Sequence, residues 1–233
     1  MDQHSPHISS FFDDELKSLR SMLLNMGGIA EQQVQDAFAA LLEQDLSRAA
    51  SAISQDKQVN ALEMSIDELA VQIIARFQPT ANDLRTVFAI VKAITDLERI
   101  GDKAEKMGTL APVVAPYLAE INMTDYLRVM ARTVQIMLHD TLDAFARQDA
   151  VAAQEIIRRD EHVNGEYDRA YHALMDHIQK QPATIEKSLS LFACMRAMER
   201  IGDHCTNICE HIVYRVQGRD IRHSTTQHLG DND

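Results

Sequence analysis

The feature that most constrains this chain of 233 residues is an internal repeat. Three short motifs occur in the first half and recur in the same order in the second half. The matches are Asp-Ala-Phe at 36–38 and 143–145, Asp-x-x-Val-Asn at 56–60 and 160–164, and Glu-Arg-Ile-Gly-Asp at 98–102 and 199–203. A duplication of this length predicts two copies of one structural unit.

Each copy has the pattern of three helices. The chain has only eight glycines and five prolines, it lacks tryptophan, and apolar residues recur at helical spacing. The predicted helices cover 11–44, 46–77, 80–110, 124–147, 150–180 and 184–217. Ser9 or Ser10 is expected to cap the first helix, and Thr80 with Asp83 forms a pattern similar to a capping box at the third. Gly27 and Gly28 mark a kink or a close backbone contact, and Gly218 is expected to cap the last helix.

The predicted fold is all-α, with two tandem three-helix bundles that stack side by side into an elongated six-helix molecule. The first bundle covers 9–111 and the second covers 124–218. A linker at 112–123 contains two prolines, and a polar tail covers 219–233.

The charge pattern narrows the choice of partners. A net charge of −12 argues against binding to nucleic acid or anionic lipid, since both need clustered Lys and Arg.

No secretory signal or membrane-spanning stretch can be recognised. The three cysteines, Cys194, Cys205 and Cys209, lie in one segment without a disulfide framework, which favours buried thiols in a reducing cytoplasm.

The repeated pentapeptide places two acids near the core of each half. Glu98 and Asp102 lie one helical turn apart and continue the apolar stripe that includes Phe88. Glu199 and Asp203 repeat the arrangement. Acids beside a core carry a desolvation cost unless they are paired.

The preceding helix adds polar groups in both halves. In the first half, Glu63 and Asp67 continue the face of Asp56 and Asn60, and in the second half Tyr167 and Tyr171 take their places. Oxygen-rich clusters suit hard cations, so divalent or iron ions (Mg, Mn, Zn or Fe) are candidate cofactors. The candidate metal ligands are Glu98, Asp102, Asp56 and Asn60 in the first half, and Glu199, Asp203, Asp160 and Asn164 in the second.

Three alternatives stay open. The acids have a purely structural role if arginines pair with them. In the first half, Lys106 could neutralise the acids in place of a metal, so the second half is the better candidate for a metal site. A di-metal carboxylate protein with a storage or enzymatic role is the main competing function. However, the Glu-x-x-His motif of four-helix di-iron proteins is missing from the repeated pentapeptide. His139 and Asp143 form a weaker candidate, better interpreted as a surface cluster.

The duplicated pentapeptide, the Asp-x-x-Val-Asn motif, Met-Gly-Gly at 26–28 and Gly-Arg-Asp at 218–220 resemble the PhoU family over nearly the whole chain, from about Ile8 to His223. No catalytic motif for nucleotide hydrolysis, acyl transfer or zinc proteolysis is present, so an enzyme is not expected.

The resemblance implies a cytoplasmic, homodimeric adaptor that represses the phosphate regulon. Its implied partners are the ATPase subunit of the Pst phosphate transporter and the PhoR sensor histidine kinase, so the membrane is reached only through partners. It also implies metal clusters at acid motifs, carried here by Glu98, Asp102 and Asp56, and by Glu199, Asp203 and Asp160.

Overall fold

The computed structural model describes residues 6–219 and 221, with side chains from residue 10 onwards. Its helices are α1 (Pro6–Leu42), α2 (Leu46–Phe77), α3 (Ala81–Glu120), α4 (Thr124–Arg147), α5 (Ala150–Lys180) and α6 (Ile185–Gln217), with a 3-10 turn at Pro182–Thr184 before α6. Helices α1–α3 pack together as one bundle, and α4–α6 as a second. The described residues contain no strand. The predicted all-α, six-helix class is therefore confirmed.

Local sequence explains where several helices begin and end. The Asp45 carboxylate accepts the backbone N–H groups of Ser47 and Arg48, and thereby caps α2. Asp149 caps α5 in the same way. Gly218 has a φ of 68° and donates its N–H to Tyr214 O at 2.9 Å, which confirms the predicted cap at the end of α6.

Two predicted helix starts differ from the structure. Helix α1 already begins at Pro6, so Ser9 and Ser10 lie within it rather than capping it. Proline is favoured at a first helical position because its fixed φ suits the helix and its missing N–H is not needed there. Thr80 is the N-cap residue of α3, but its side chain forms no capping hydrogen bond. The polar tail falls outside the described residues, apart from Arg219 and Ile221.

The prediction that α3 ends near residue 110 is wrong, and so is the interpretation of 112–123 as a break between helices. Helix α3 continues to Glu120 with Pro112 and Pro116 inside it. Each internal proline removes a backbone hydrogen bond and costs about 3 kcal/mol or more. Only residues 121–123 separate α3 from α4.

Burial compensates for the two prolines. Three large side chains of the extension, Val114, Tyr117 and Leu118, are at most 1% exposed. Full burial of a large apolar side chain contributes about 1.5–3 kcal/mol. In addition, the Tyr117 hydroxyl lies 2.7 Å from Ser188 Oγ on α6, which ties the extension to the second bundle. Apolar packing therefore keeps the segment helical.

The core follows the predicted helical stripes, except that the buried face of α3 is rotated away from Phe88. On α2, Ile66 and Ile73 are fully buried as predicted. On α3, however, Phe88 is 48% exposed, and the buried face runs through Val87, Ile90, Ile94, Leu97 and Ile100. Because the stripe assigned to Phe88 lies at the edge of the core, Glu98 and Asp102, which continue it, are only partly buried.

The two bundles meet mainly along α3 and α6, which run antiparallel. At the middle of this contact the Asp96 carboxylate of α3 is largely buried among α6 side chains. It lies 2.9 Å from His204 Nδ1 and 3.3 Å from His211 Nε2, and it accepts a hydrogen bond from Asn207 Nδ2 at 3.0 Å. One acid of the first bundle is thus held by three residues of the second.

Helices α1 and α4 form the smaller contact between the bundles. A methyl group at position 27 would lie 2.4 Å from a Leu142 side-chain carbon, whereas nothing lies within 4 Å of one at position 28. Gly27 therefore confirms the predicted close contact, and α1 remains helical through both glycines. Among the described residues, no helix is long and apolar enough to cross a membrane.

Candidate functional site

The first acid site lies between α2 and α3 and consists of Asp56, Asn60, Glu98 and Asp102. Asn60 donates from Nδ2 to Asp56 Oδ2 at 2.9 Å, which fixes the orientation of the carboxylate. Asp56 Oδ1 and Asn60 Oδ1 are buried and have no hydrogen-bond partner within the described structure. A buried carboxylate oxygen without a donor is costly, so this atom is a candidate ligand.

Gly101 allows α2 and α1 to approach α3 at this site. A methyl group at position 101 would lie 3.0 Å from Gln33 Oε1 and 3.5 Å from Asp56 Oδ1. Gln33 donates from Nε2 to Ala52 O at 2.9 Å and to Gly101 O at 3.1 Å, while its Oε1 is buried and unpartnered. The predicted close approach beside the acids is therefore confirmed.

The second acid site repeats this arrangement between α5 and α6, with Asp160, Asn164, Glu199 and Asp203. Asn164 donates from Nδ2 to Asp160 Oδ2 at 3.0 Å, and Asp160 Oδ1 is buried without a partner. A methyl group at position 202 would lie only 2.7 Å from Asp160 Oδ1. The glycine of each repeated pentapeptide thus makes room for the aspartate of the preceding helix.

Arginines distinguish the second acid site from the first. Arg196 Nη1 donates to Glu199 Oε1 at 2.6 Å, and Arg200 Nη1 donates to Asp203 Oδ2 at 2.8 Å. In the first acid site the comparable contact is a weaker one, with Arg99 Nε 3.6 Å from Glu98 Oε2. Part of the negative charge of the second acid site is therefore already compensated within the protein.

The electrostatics of the two sites reflect crowded acids. Burial, followed by repulsion from Asp203, raises the pKa of Asp160 to about 6. The pKa of Glu199 is also raised, by burial and by Asp203, against the opposing effect of its arginines. In the first acid site, burial and then the charges of Asp102 and Glu63 raise the pKa of Glu98. A bound cation would relieve this repulsion in either site.

The two acid sites meet only some of the requirements of a metal site. Both sites offer oxygen donors only, and each has a buried, unpartnered carboxylate oxygen, as a hard cation would need. However, no three His, Cys, Asp or Glu side chains of the described residues are grouped as a metal centre. The donor chemistry thus supports a metal, and binding would require the acid side chains to move together.

Lys106 does not have the role considered for it from the sequence. Its side chain is exposed, and it forms no ion pair with Asp102 within the described structure. The basis for preferring the second acid site is therefore not supported, and the arginines of that site favour the first acid site instead.

The weaker candidates all have structural partners. His139 Nδ1 lies 3.0 Å from Glu31 Oε1, and Asp143 pairs with Arg147 at 2.8 Å, so these two form a surface cluster as expected. The three cysteines are buried and not disulfide-bonded. Burial raises the pKa of the Cys194 thiol to about 12, which leaves it protonated at neutral pH.

Sequence reasoning missed two residues of the sites. Arg196 stands three positions before Glu199, a spacing that predicts an ion pair on one helix face. Gln33 carried no signal of its own, because its role depends on how α1 packs across α2 and α3.

The family model described as "PhoU domain" matches twice, at residues 23–111 and 127–212, so each half forms one copy. The phosphate-specific transport system accessory protein PhoU of Serratia marcescens is 46% identical over 93% of this chain and 89% of that protein. The Escherichia coli K12 protein of the same name is 45% identical over 93% and 90%.

Solved structures agree with this relationship. The crystal structure of PhoU from Pseudomonas aeruginosa superposes with a TM-score of 0.83 at 40% identity, covering 89% of this chain and all of that one. The phosphate transport system regulatory protein PhoU from Streptococcus pneumoniae gives a TM-score of 0.82 at 28% identity, over 90% and 98%. With two tandem copies of its domain and relatives matched over almost their full length, the chain belongs to the PhoU family.

Proposed function

We propose that this protein regulates phosphate homeostasis as an adaptor without catalytic activity. It represses the phosphate regulon by coupling the ATPase subunit of the Pst transporter to the PhoR sensor histidine kinase. The observation that carries the proposal is the full-length relationship to accessory proteins of phosphate-specific transport. Both partners present cytoplasmic surfaces, so the protein acts in the cytoplasm and reaches the membrane only through them.

A protein-binding role is supported by three exposed apolar side chains on one face of α2. Ile53, Met64 and Val71 are 38%, 72% and 60% exposed. Polar residues of the same face, among them Lys57 and Asn60, lie between Ile53 and Met64. Exposed apolar side chains within a polar surface are a feature of protein-binding sites, and we assign this face to the ATPase subunit.

A pull-down with both partners tests the adaptor. Wild-type protein should retain the ATPase subunit and the sensor kinase in phosphate-replete conditions, and binding to neither would contradict the proposal. Met64→Glu should weaken retention of the ATPase subunit. Val151→Glu adds the same charge at a residue that is 76% exposed on α5, and should bind as the wild type does. A homodimer is also proposed, and light scattering on the purified chain tests it.

Metal binding at the two acid sites is a second proposal, favoured by the unpartnered oxygens Asp56 Oδ1 and Asp160 Oδ1. The first acid site would use Glu98, Asp102 and Asp56, and the second Glu199, Asp203 and Asp160. Metal analysis of the purified protein tests it: Asp102→Ala in the first acid site and Asp203→Ala in the second should each lower metal content without unfolding the bundle. Unfolding without a change in metal content would show that the acids are purely structural.

The competing enzymatic role is tested separately. An oxygen-consumption assay on the metal-loaded protein should show no turnover. Turnover that is abolished by Glu199→Ala would replace the adaptor with a di-metal carboxylate enzyme.

A further inference from the structure

A cavity of about 50 Å³ lies where both bundles meet at one end of the molecule. It is formed by α1, α3, α6 and the end of α4, and none of its lining residues belongs to the acid sites. Its lining includes Arg20, Leu24, Ile90, Phe145, Ile212 and Arg215. Two guanidinium groups thus share one small cavity with apolar walls.

Neither arginine has a counter-charge close by among residues 10–219. Arg215 Nε donates to Thr86 Oγ1 at 2.9 Å, and the Thr86 hydroxyl donates in turn to Asn82 O at 3.0 Å. Within the described part of the chain, neither Arg20 nor Arg215 forms an ion pair with a carboxylate. The attraction of Asp83 acts on Arg215 only at longer range. Thr86 therefore positions Arg215 without neutralising it.

The two charges also disfavour each other. Burial, followed by repulsion from Arg20, lowers the pKa of Arg215. Arginines such as Arg147 and Arg196, by contrast, pair with nearby carboxylates. Both arginines of the cavity are partly buried, so each charge carries a desolvation cost, and an anion bound between the guanidinium groups would offset it.

The fold itself does not require these arginines. Aligned through the repeated pentapeptide, the position of Arg215 in the first half is Val114, and the position of Thr86 in the second half is Lys187. At the opposite end of the α3–α6 contact, Tyr117 and Ser188 form a neutral hydrogen bond instead. The basic cavity is therefore a feature of one end only, rather than a product of the duplication.

We propose that this cavity binds a small oxyanion, and that inorganic phosphate is its ligand. Fifty cubic ångströms corresponds to about three to five water molecules, a size that suits a single tetrahedral oxyanion. Arg20 and the free Nη groups of Arg215 supply the planar donors that match phosphate oxygens. Binding would stabilise the contact between the bundles, since the cavity includes residues of both. Its meaning as a signal of phosphate status rests on the proposed function.

Isothermal titration calorimetry with inorganic phosphate tests the site on the purified full-length chain in a phosphate-free buffer at constant ionic strength. The wild type should bind saturably, and Arg215→Gln should weaken binding about tenfold or more, the effect of losing one charged hydrogen-bonding group. Arg215→Lys, which keeps the charge, should lose less. Arg128→Gln changes net charge equally near the other end of α4, and should bind as the wild type does.

Several results would overturn the inference. These are the absence of saturable phosphate binding to the wild type, equal losses in Arg128→Gln and Arg215→Gln, and acetate binding as tight as phosphate, which would indicate a carboxylate site. Circular dichroism shows whether each variant is folded. Arg20→Gln changes the other arginine of the cavity, so the test does not depend on one variant. Failure of the regulatory proposal would appear in the partner pull-down, whereas failure of this inference would appear in calorimetry without partners.

Discussion

Asp96, the acid of α3 that is enclosed by α6, should stabilise the fold through its negative charge. Burial alone would raise its pKa, but hydrogen bonds from His204, His211 and Asn207 outweigh burial and lower the pKa to about 2, from 3.8. A difference of this size corresponds to about 2.5 kcal/mol of stability supplied by the ionised carboxylate. Because the folded-state pKa is depressed, this contribution is present above the unfolded value and is lost as pH falls towards 2.

Asp96→Asn tests this value, because the amide stands in for the protonated carboxyl group. At about pH 5 the variant should be less stable than the wild type by about 2.5 kcal/mol. At about pH 3 roughly half of the difference should remain, since the wild type has then lost about 1 kcal/mol of the carboxylate contribution. Urea denaturation followed by far-ultraviolet circular dichroism measures both values.

The matched control is Asp125→Asn, which removes an exposed acid paired with Arg128 on the surface. Surface ion pairs contribute about 0–1 kcal/mol, so this change should have little effect at either pH. If Asp96→Asn is as stable as the wild type at about pH 5, the Asp96 carboxylate does not stabilise the fold. A stability difference that stays constant down to about pH 3 would show that the effect does not come from ionisation of Asp96.

In the second acid site, ionisation of an acid should lower the stability of the fold instead of raising it. Asp160 has a raised pKa of about 6, so its charge costs stability above that pH, and Asp160→Asn should stabilise the metal-free protein at neutral pH. After allowance for solvent screening we expect a gain of about 1 kcal/mol that disappears below about pH 4, measurable by thermal unfolding. A loss of stability at neutral pH would contradict this. Gly28→Ala should raise stability by about 1 kcal/mol through helix propensity, whereas Gly202→Ala should lower the unfolding temperature because its methyl group would meet Asp160 Oδ1 at 2.7 Å. Equal effects of the two alanines would rule out close packing at Gly202.

Much of the fold could be predicted from the sequence because the repeat and the helical spacing are local signals. The bounds of α2, α4 and α5 agree with the structure. Aspartate caps define the starts of α2 and α5, and left-handed residues define the ends of α2 and α4. The length of α3 could not be predicted, because Pro112 and Pro116 are strong local breakers. Burial of Tyr117 and its neighbours offsets the cost of the two prolines, and this burial exists only in the folded protein.

The acid sites could be predicted in part, because spacing along a helix is a local signal. Spacing on one helix placed Glu98 with Asp102 and Glu199 with Asp203, and the internal glycines indicated a close approach. The side chain that fills that approach, Asp160 over Gly202, is visible only once α5 and α6 are packed. The basic cavity was beyond sequence reasoning, because Arg20 and Arg215 come from opposite ends of the chain and from different bundles.

Under the proposed function, this chain represses phosphate-starvation genes when phosphate is plentiful. A reporter of the phosphate regulon in a strain lacking the gene tests it most directly. Reporter expression should be high in phosphate-rich medium, and repression should return once the wild-type chain is supplied again. A reporter that stays repressed in the deletion strain would show that the chain is not a repressor of the regulon.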